Sequence, residues 1–133
     1  MATTTASITL SSSDLTGDAL SLSSTATLTK ADSATGLDQT TGVARKFFAS
    51  AQANTTLIAA ADYTASKAHK VYIKNTSTSN SEFIKVEIGA SNTSLGRLYG
   101  GDFLFMPYDG ENDIDIDTSA VNMTVEYLVI YEA

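Results

Sequence analysis

In EFIKVEIG, residues 82–89, Ile84, Val86 and Ile88 alternate with Lys85 and Glu87. Successive side chains of a strand point to opposite faces of its sheet, so this period of two marks a half-buried strand. The same pattern recurs along the chain. Ile8 and Leu10 share a face in ASITL, and Leu20, Leu22, Ala26 and Leu28 do so in ALSLSSTATLT. Val71 and Ile73 share one in KVYIKN, as do Ile114 and Ile116 in NDIDID. VARKFFASA carries Phe47 and Phe48, LGRLY is a further short run, and TTLIAAADY fits a strand or a short helix. Turn-forming stretches separate these runs: SSSDLTGD, GLDQTTG, TSTSNS, ASNTS, GGD, DGEN and TSAVN. Eight or nine short strands at this spacing predict an all-β fold, an antiparallel β-sandwich of immunoglobulin-like or jelly-roll type.

Two segments break the alternation. FLFMPY is apolar without interruption from Phe103 to Met106, which predicts a strand covered on both faces, ended by Pro107 because proline donates no ladder hydrogen bond. The closing stretch MTVEYLVIYEA sets Met123, Val125, Tyr127, Val129 and Tyr131 on one face, expected to meet the core. Its other face starts polar at Thr124 and Glu126 and turns apolar at Leu128 and Ile130. An internal layer would cover all four positions, so Leu128 and Ile130 are expected at a subunit interface. The competing arrangement packs the chain's own N-terminal arm beneath them.

At 133 residues the chain is expected to form one domain spanning 1–133, with a Ser/Thr-rich arm over about residues 1–18. The arm is poor in apolar residues, so its role is expected to lie in assembly more than in the fold. There is no cysteine, which removes disulfides and thiolate metal sites. MATTTASITLSSS has neither the basic nor the apolar region of a secretory signal, and no apolar run approaches the roughly 20 residues of a membrane span. A soluble protein without a cleaved signal and without a membrane partner is expected.

The net charge is −7, and every one of the eight Lys and Arg residues lies at or before Arg97, with eight acids after it. Such a chain repels phosphate backbones, so no nucleic-acid partner is expected. His69 is the only histidine, and no G-x-S-x-G elbow accompanies it. Beside Lys70 at the mouth of a strand, it reads as a surface residue. Asp113, Asp115 and Asp117 line one face of a predicted strand, with neighbours about 6–7 Å apart. Three carboxylates suit Ca²⁺, or a pair of them sugar hydrolysis. EF-hand spacing fails, since Thr118 and Thr124 stand where glycine and glutamate are needed. Alternation with isoleucine instead describes a solvated face, so neither a metal nor a cofactor is expected, and no catalytic residue is assigned. The sequons at Asn54, Asn75, Asn92 and Asn122 arise readily in a chain this rich in Ser and Thr. For stacking on a sugar, Tyr108 in MPYDGEN is the one good candidate on a loop.

Three strings, VYIKNTSTSNSEFIKVEIG, LGRLYGGDFLFMPY and VNMTVEYLVIYEA, carry a family resemblance. They resemble small virion structural proteins of tailed phages infecting marine bacteria, cyanophages especially. SITLSSSDLTGDALSLSSTATLTKA is similar to the start of the same group. The resemblance covers most of the chain, and its motifs are strands and turns without catalytic content. It implies a capsid decoration (cement) protein, made in the host cytoplasm and resident on the capsid surface. Its partners would be the major capsid protein and copies of itself in a homo-oligomer. A tail, neck or baseplate component is the alternative within the virion, and a carbohydrate-binding module for host attachment is the alternative from another class.

Overall fold

A computed structural model of the chain describes residues 3–15, 17–33 and 35–133. It divides into two compact units, Met1–Asp38 and Gln39–Ala133. The boundary falls about twenty residues beyond the expected end of the arm, because the arm doubles back on itself. β1 (Thr4–Ser12) pairs antiparallel with β2 (Leu20–Leu28) along its whole length. Met1, Ala2 and Thr16, within the expected arm, lie outside the described residues. After β2, Leu37 N–H donates to Leu28 O, the Thr4 hydroxyl donates to Leu37 O at 2.7 Å, and Lys30 pairs with Asp38 at 2.8 Å.

The second unit is an antiparallel β-sandwich. Its nine strands are β3 (Gln39–Thr40), β4 (Ala44–Phe48), β5 (Thr55–Ile58), β6 (His69–Asn75), β7 (Phe83–Ile88), β8 (Thr93–Tyr99), β9 (Phe103–Tyr108), β10 (Ile114–Thr118) and β11 (Met123–Tyr131). TTLIAAADY contains both alternatives foreseen for it, β5 followed by a 3₁₀ turn at Ala60–Asp62. One sheet runs β5-β10-β7-β8; the other runs β4-β11-β6-β9, with β3 also on β11. From β4 to β11 every connection except β7–β8 crosses between sheets, and these two strand orders are those of a jelly roll.

Alternation decides the core. Val71, Ile73, Val125 and Val129 from one sheet meet Ile84, Val86, Ile114 and Ile116 from the other, all buried. Each such side chain contributes roughly 1.5–3 kcal/mol by leaving water. Tyr127 and Tyr131 pack against the same cluster at half burial. Register shifts interrupt the β7–β8 and β10–β5 ladders. Pro107 does not end β9 as expected: it pairs with Lys70, and Tyr108 beyond it pairs with His69. β9 is the outermost strand of its sheet, where proline is tolerated.

β3 and β4 share one side of β11 in succession. At the break, Thr41 donates its N–H to Val129 O and accepts the Val129 N–H on its hydroxyl, each at 3.0 Å, so a side chain completes the ladder.

Candidate assembly surface

The outer face of the five-stranded sheet is built from the alternate positions that the core leaves over. β9 contributes Phe103, Phe105 and Pro107; β6 contributes Lys70, Tyr72 and Lys74. β11 adds Thr124, Glu126, Leu128 and Ile130, and β4 adds Arg45 and Phe47. Phe47, Phe103 and Phe105 are 60, 59 and 43% exposed. The unbroken run in FLFMPY is therefore covered on one side only, by the core that takes Leu104 and Met106. A second layer was expected over Phe103 and Phe105, and the described strands of this unit supply none. Phe103 and Phe105 lie on β9 and Phe47 on β4, at opposite borders of the sheet with β11 and β6 between them.

Polar groups at the centre of this face are already engaged. Arg45 Nε donates to Glu126 Oε2 at 2.8 Å, and Tyr72 Oη donates to Oε1 at 3.4 Å. The Arg45 hydrogen bond holds the Glu126 carboxyl below the usual carboxylate range, against the opposing effect of its burial. Burial, and then the adjacent Glu126 charge, raise the Tyr72 phenol above its ordinary value. Tyr72 leans on Phe103, ring centroids 6.1 Å apart, which extends the aromatic area across the sheet.

Leu128 and Ile130 both lie on this outer face, in register with Tyr72 and Lys70. Leu128 is half-buried, but Ile130 is only 8% exposed in the single chain. Ile130 is thus covered without a second subunit, which corrects its expected place at an interface. The exposed apolar side chains of this face lie instead on β9 and β4.

The other sequence-predicted residues have structural duties. His69 is fully buried, not at the surface. Its Nε2–H donates to Thr64 O at 2.8 Å and its Nδ1 accepts the Glu132 N–H at 3.1 Å, a pairing that needs the neutral ring. Tyr63, Tyr108 and Tyr131 surround this end of the sandwich, with Tyr63 within 6 Å of His69, Tyr108 and Tyr131, ring centre to ring centre. Tyr108 is buried, and its hydroxyl donates to Asn112 O at 2.8 Å, so it does not offer a ring to a sugar. Desolvation, with the Asp113 charge nearby, pushes its phenol up to about 12. A shallow depression of about 270 Å³ lies over this end, lined by Lys67, Lys70, Ile88, Pro107 and Asp109 among others.

The acidic stripe is solvated only in part, with Asp113 exposed, Asp117 half-buried and Asp115 buried. Asp113 Oδ1 accepts the Ala60 N–H and Asp117 Oδ1 the Asn54 N–H, each at 2.7 Å, so two of the three aspartates fasten the ends of β5. Lys85 bridges Asp117 at 2.6 Å and Glu87 at 2.7 Å. Burial raises the Asp117 carboxyl, but the Lys85 and Asn54 hydrogen bonds outweigh it and the net shift is downward. Asp115 and Glu87 face each other across β10 and β7, both buried. Among the described residues, no group of three or more His, Asp or Glu side chains is placed to hold a metal ion.

Asn75 was missed at the sequence level. Buried at the end of β6, it donates to Glu82 O at 3.1 Å and Leu98 O at 3.0 Å and accepts the Ser77 N–H at 3.0 Å. Its backbone pairs with Gly101 and Asp102. YIKNT and LYGGDF therefore meet at one corner, where a side chain on Gly100 would run into the Ser79 carbonyl. No protein-family model matches the chain, and no curated protein or solved structure matches it. No helix among the described residues is long and apolar enough to cross a membrane.

Proposed function

We propose that the chain is a structural protein of a phage virion, a capsid decoration protein that binds and reinforces the assembled shell. The observation that carries this reading is the open aromatic face of Phe47, Phe103 and Phe105 on a domain whose core is otherwise closed. A face of this kind is suited to a second protein layer, and a many-copy coat multiplies the gain from each contact. The sequence resemblance to small virion proteins of marine tailed phages points the same way. The jelly-roll strand order adds an analogy of fold, since viral capsid domains use it, as do lectins and cupins. The partners are the major capsid protein and other copies of this chain, the place is the capsid surface, and no catalytic step is assigned.

The experiment is a copy-number measurement on purified particles of the phage that encodes the chain. A decoration protein approaches the abundance of the major capsid protein. A handful of copies per particle would move the assignment to the tail or neck, and complete absence from particles would end the virion reading.

A further inference from the structure

We propose that the β1–β2 hairpin of one copy lies with its apolar face against the aromatic outer face of the five-stranded sheet of a second copy. The inference rests on the reading of that sheet face as an assembly surface and is independent of which virion part the chain occupies.

The hairpin is amphipathic. Its register brings Ala6 opposite Ala26, Leu10 opposite Leu22 and Ser12 opposite Leu20. Ala6, Ile8, Leu10, Leu20, Leu22 and Ala26 thus share one face, while Ser and Thr fill the other. Ile8, Leu10, Leu20 and Leu22 are 46, 48, 37 and 47% exposed. A two-stranded ribbon is marginal in water unless its apolar face packs on something. The sequence thus encodes a lever of nine-residue strands whose packing partner is another surface.

Charge selects the surface. Neither strand carries a charged residue, and the turn between them carries only Asp14 and Asp18. The sheet face presents Arg45, Lys70 and Lys74 against the single acid Glu126. An uncharged apolar strip with an acidic tip therefore meets phenylalanines among an excess of bases.

Area selects the geometry. Nine residues at about 3.4 Å give a strip about 30 Å long, and two strands make it about 10 Å wide, or roughly 300 Å². Two hairpins packed on each other would bury about 600 Å² in total, short of the roughly 1,000 Å² of a stable interface. Reciprocal exchange makes two hairpin–sheet contacts per pair of copies, about 1,200 Å², which clears that threshold.

The test is sedimentation equilibrium on the full chain with two double variants, Leu10→Glu/Leu22→Glu on the hairpin and Phe103→Glu/Phe105→Glu on the sheet. All four side chains are exposed, so the sandwich of each variant should keep its fold and melt as the dissociated wild type does at low concentration. The expected result is an oligomeric wild type and a monomer for each variant, alone or mixed, because the mixture restores only one of the two contacts, about 600 Å², which is short of a stable interface. A monomeric wild type would overturn the proposal and place the hairpin on its own chain or on a different protein. Loss of association in the hairpin variant alone, with the sheet variant still oligomeric, would overturn it in favour of hairpin–hairpin packing. Association as described without capsid binding would sustain this inference and defeat the virion reading; capsid binding by a chain that stays monomeric would do the reverse.

Discussion

The Nδ1 of His69 accepts the backbone N–H of Glu132 at 3.1 Å, so a ring buried at the start of β6 holds the far end of β11. Its other nitrogen is committed to Thr64 O, and one side chain thereby ties three segments far apart in the chain. Truncation leaves the Glu132 N–H and the Thr64 carbonyl, both part-buried, without this partner and opens a cavity where the buried ring stood. His69→Ala should cost about 3 kcal/mol in denaturant unfolding. Hydrogen exchange at the Glu132 amide should rise by more than the global loss explains, and an unchanged amide would show that the ring does not secure the C-terminal end.

Asn75 makes three side-chain hydrogen bonds at the corner where the YIKNT and LYGGDF motifs meet. Asn75→Ala should lower the melting temperature by about 10 °C, from roughly 3 kcal/mol of unpaired backbone groups. Asn75→Asp is nearly isosteric but points a carboxylate oxygen at the Glu82 and Leu98 carbonyls. It should be at least as damaging, and a benign Asn75→Asp would contradict the assigned amide orientation.

Stability at high pH should follow Tyr108. Its phenol rises to about 12 in the folded state, while an unfolded tyrosine titrates near about 10. The folded state therefore holds its proton longer, and the associated stability is complete below about pH 10 and lost as pH climbs through about 12. Tyr63, raised first by burial and then by the Asp62 charge, acts in the same direction. Melting curves from about pH 9 upward should fall more steeply for the wild type than for Tyr108→Phe.

The acid side has the opposite sign. Glu126, held down mainly by Arg45, and Asp117, whose burial is outweighed by Lys85 and Asn54, both lie below the ordinary carboxylate values. Their stabilisation is present above about pH 4 and lost as pH falls through the folded values. Arg45→Ala should remove the larger part of the Glu126 share, leaving the smaller effects of Tyr72 and Lys74, and leave that of Asp117. The drop in melting temperature between neutral and acid pH should shrink in the variant, and added salt should shrink it further in the wild type.

Strand content was legible because it depends on local alternation: Ile84, Val86 and Ile88 point inward whatever their neighbours are. The inward face of MTVEYLVIYEA was legible for the same reason. His69 and Asn75 were not, since their burial follows from strand order, which places Glu132 and Leu98 beside them across long stretches of chain. The aspartates misled for a related reason. Period two shows that Asp113 and Asp117 leave the core, but not that the backbone at Asn54 and Ala60 hydrogen-bonds to them. Ile130 was read correctly onto an outer face, whereas the FLFMPY run was read as covered on both faces; which apolar positions the chain covers is a property of its packing.

The sandwich has few places where another strand can be added. β5 is four residues long, β9 carries Pro107, and the ladder beside β8 is broken by a register shift. Each of these blunts a sheet border against extension by a foreign strand. Growth sideways into a continuous ribbon, the route to fibrils, is thus discouraged by the backbone itself. The fourth border is divided between β3 and β4, two and five residues long, and offers no continuous edge. The domain thus exposes Phe47, Phe103 and Phe105 on a face while its borders give a foreign strand little to pair with.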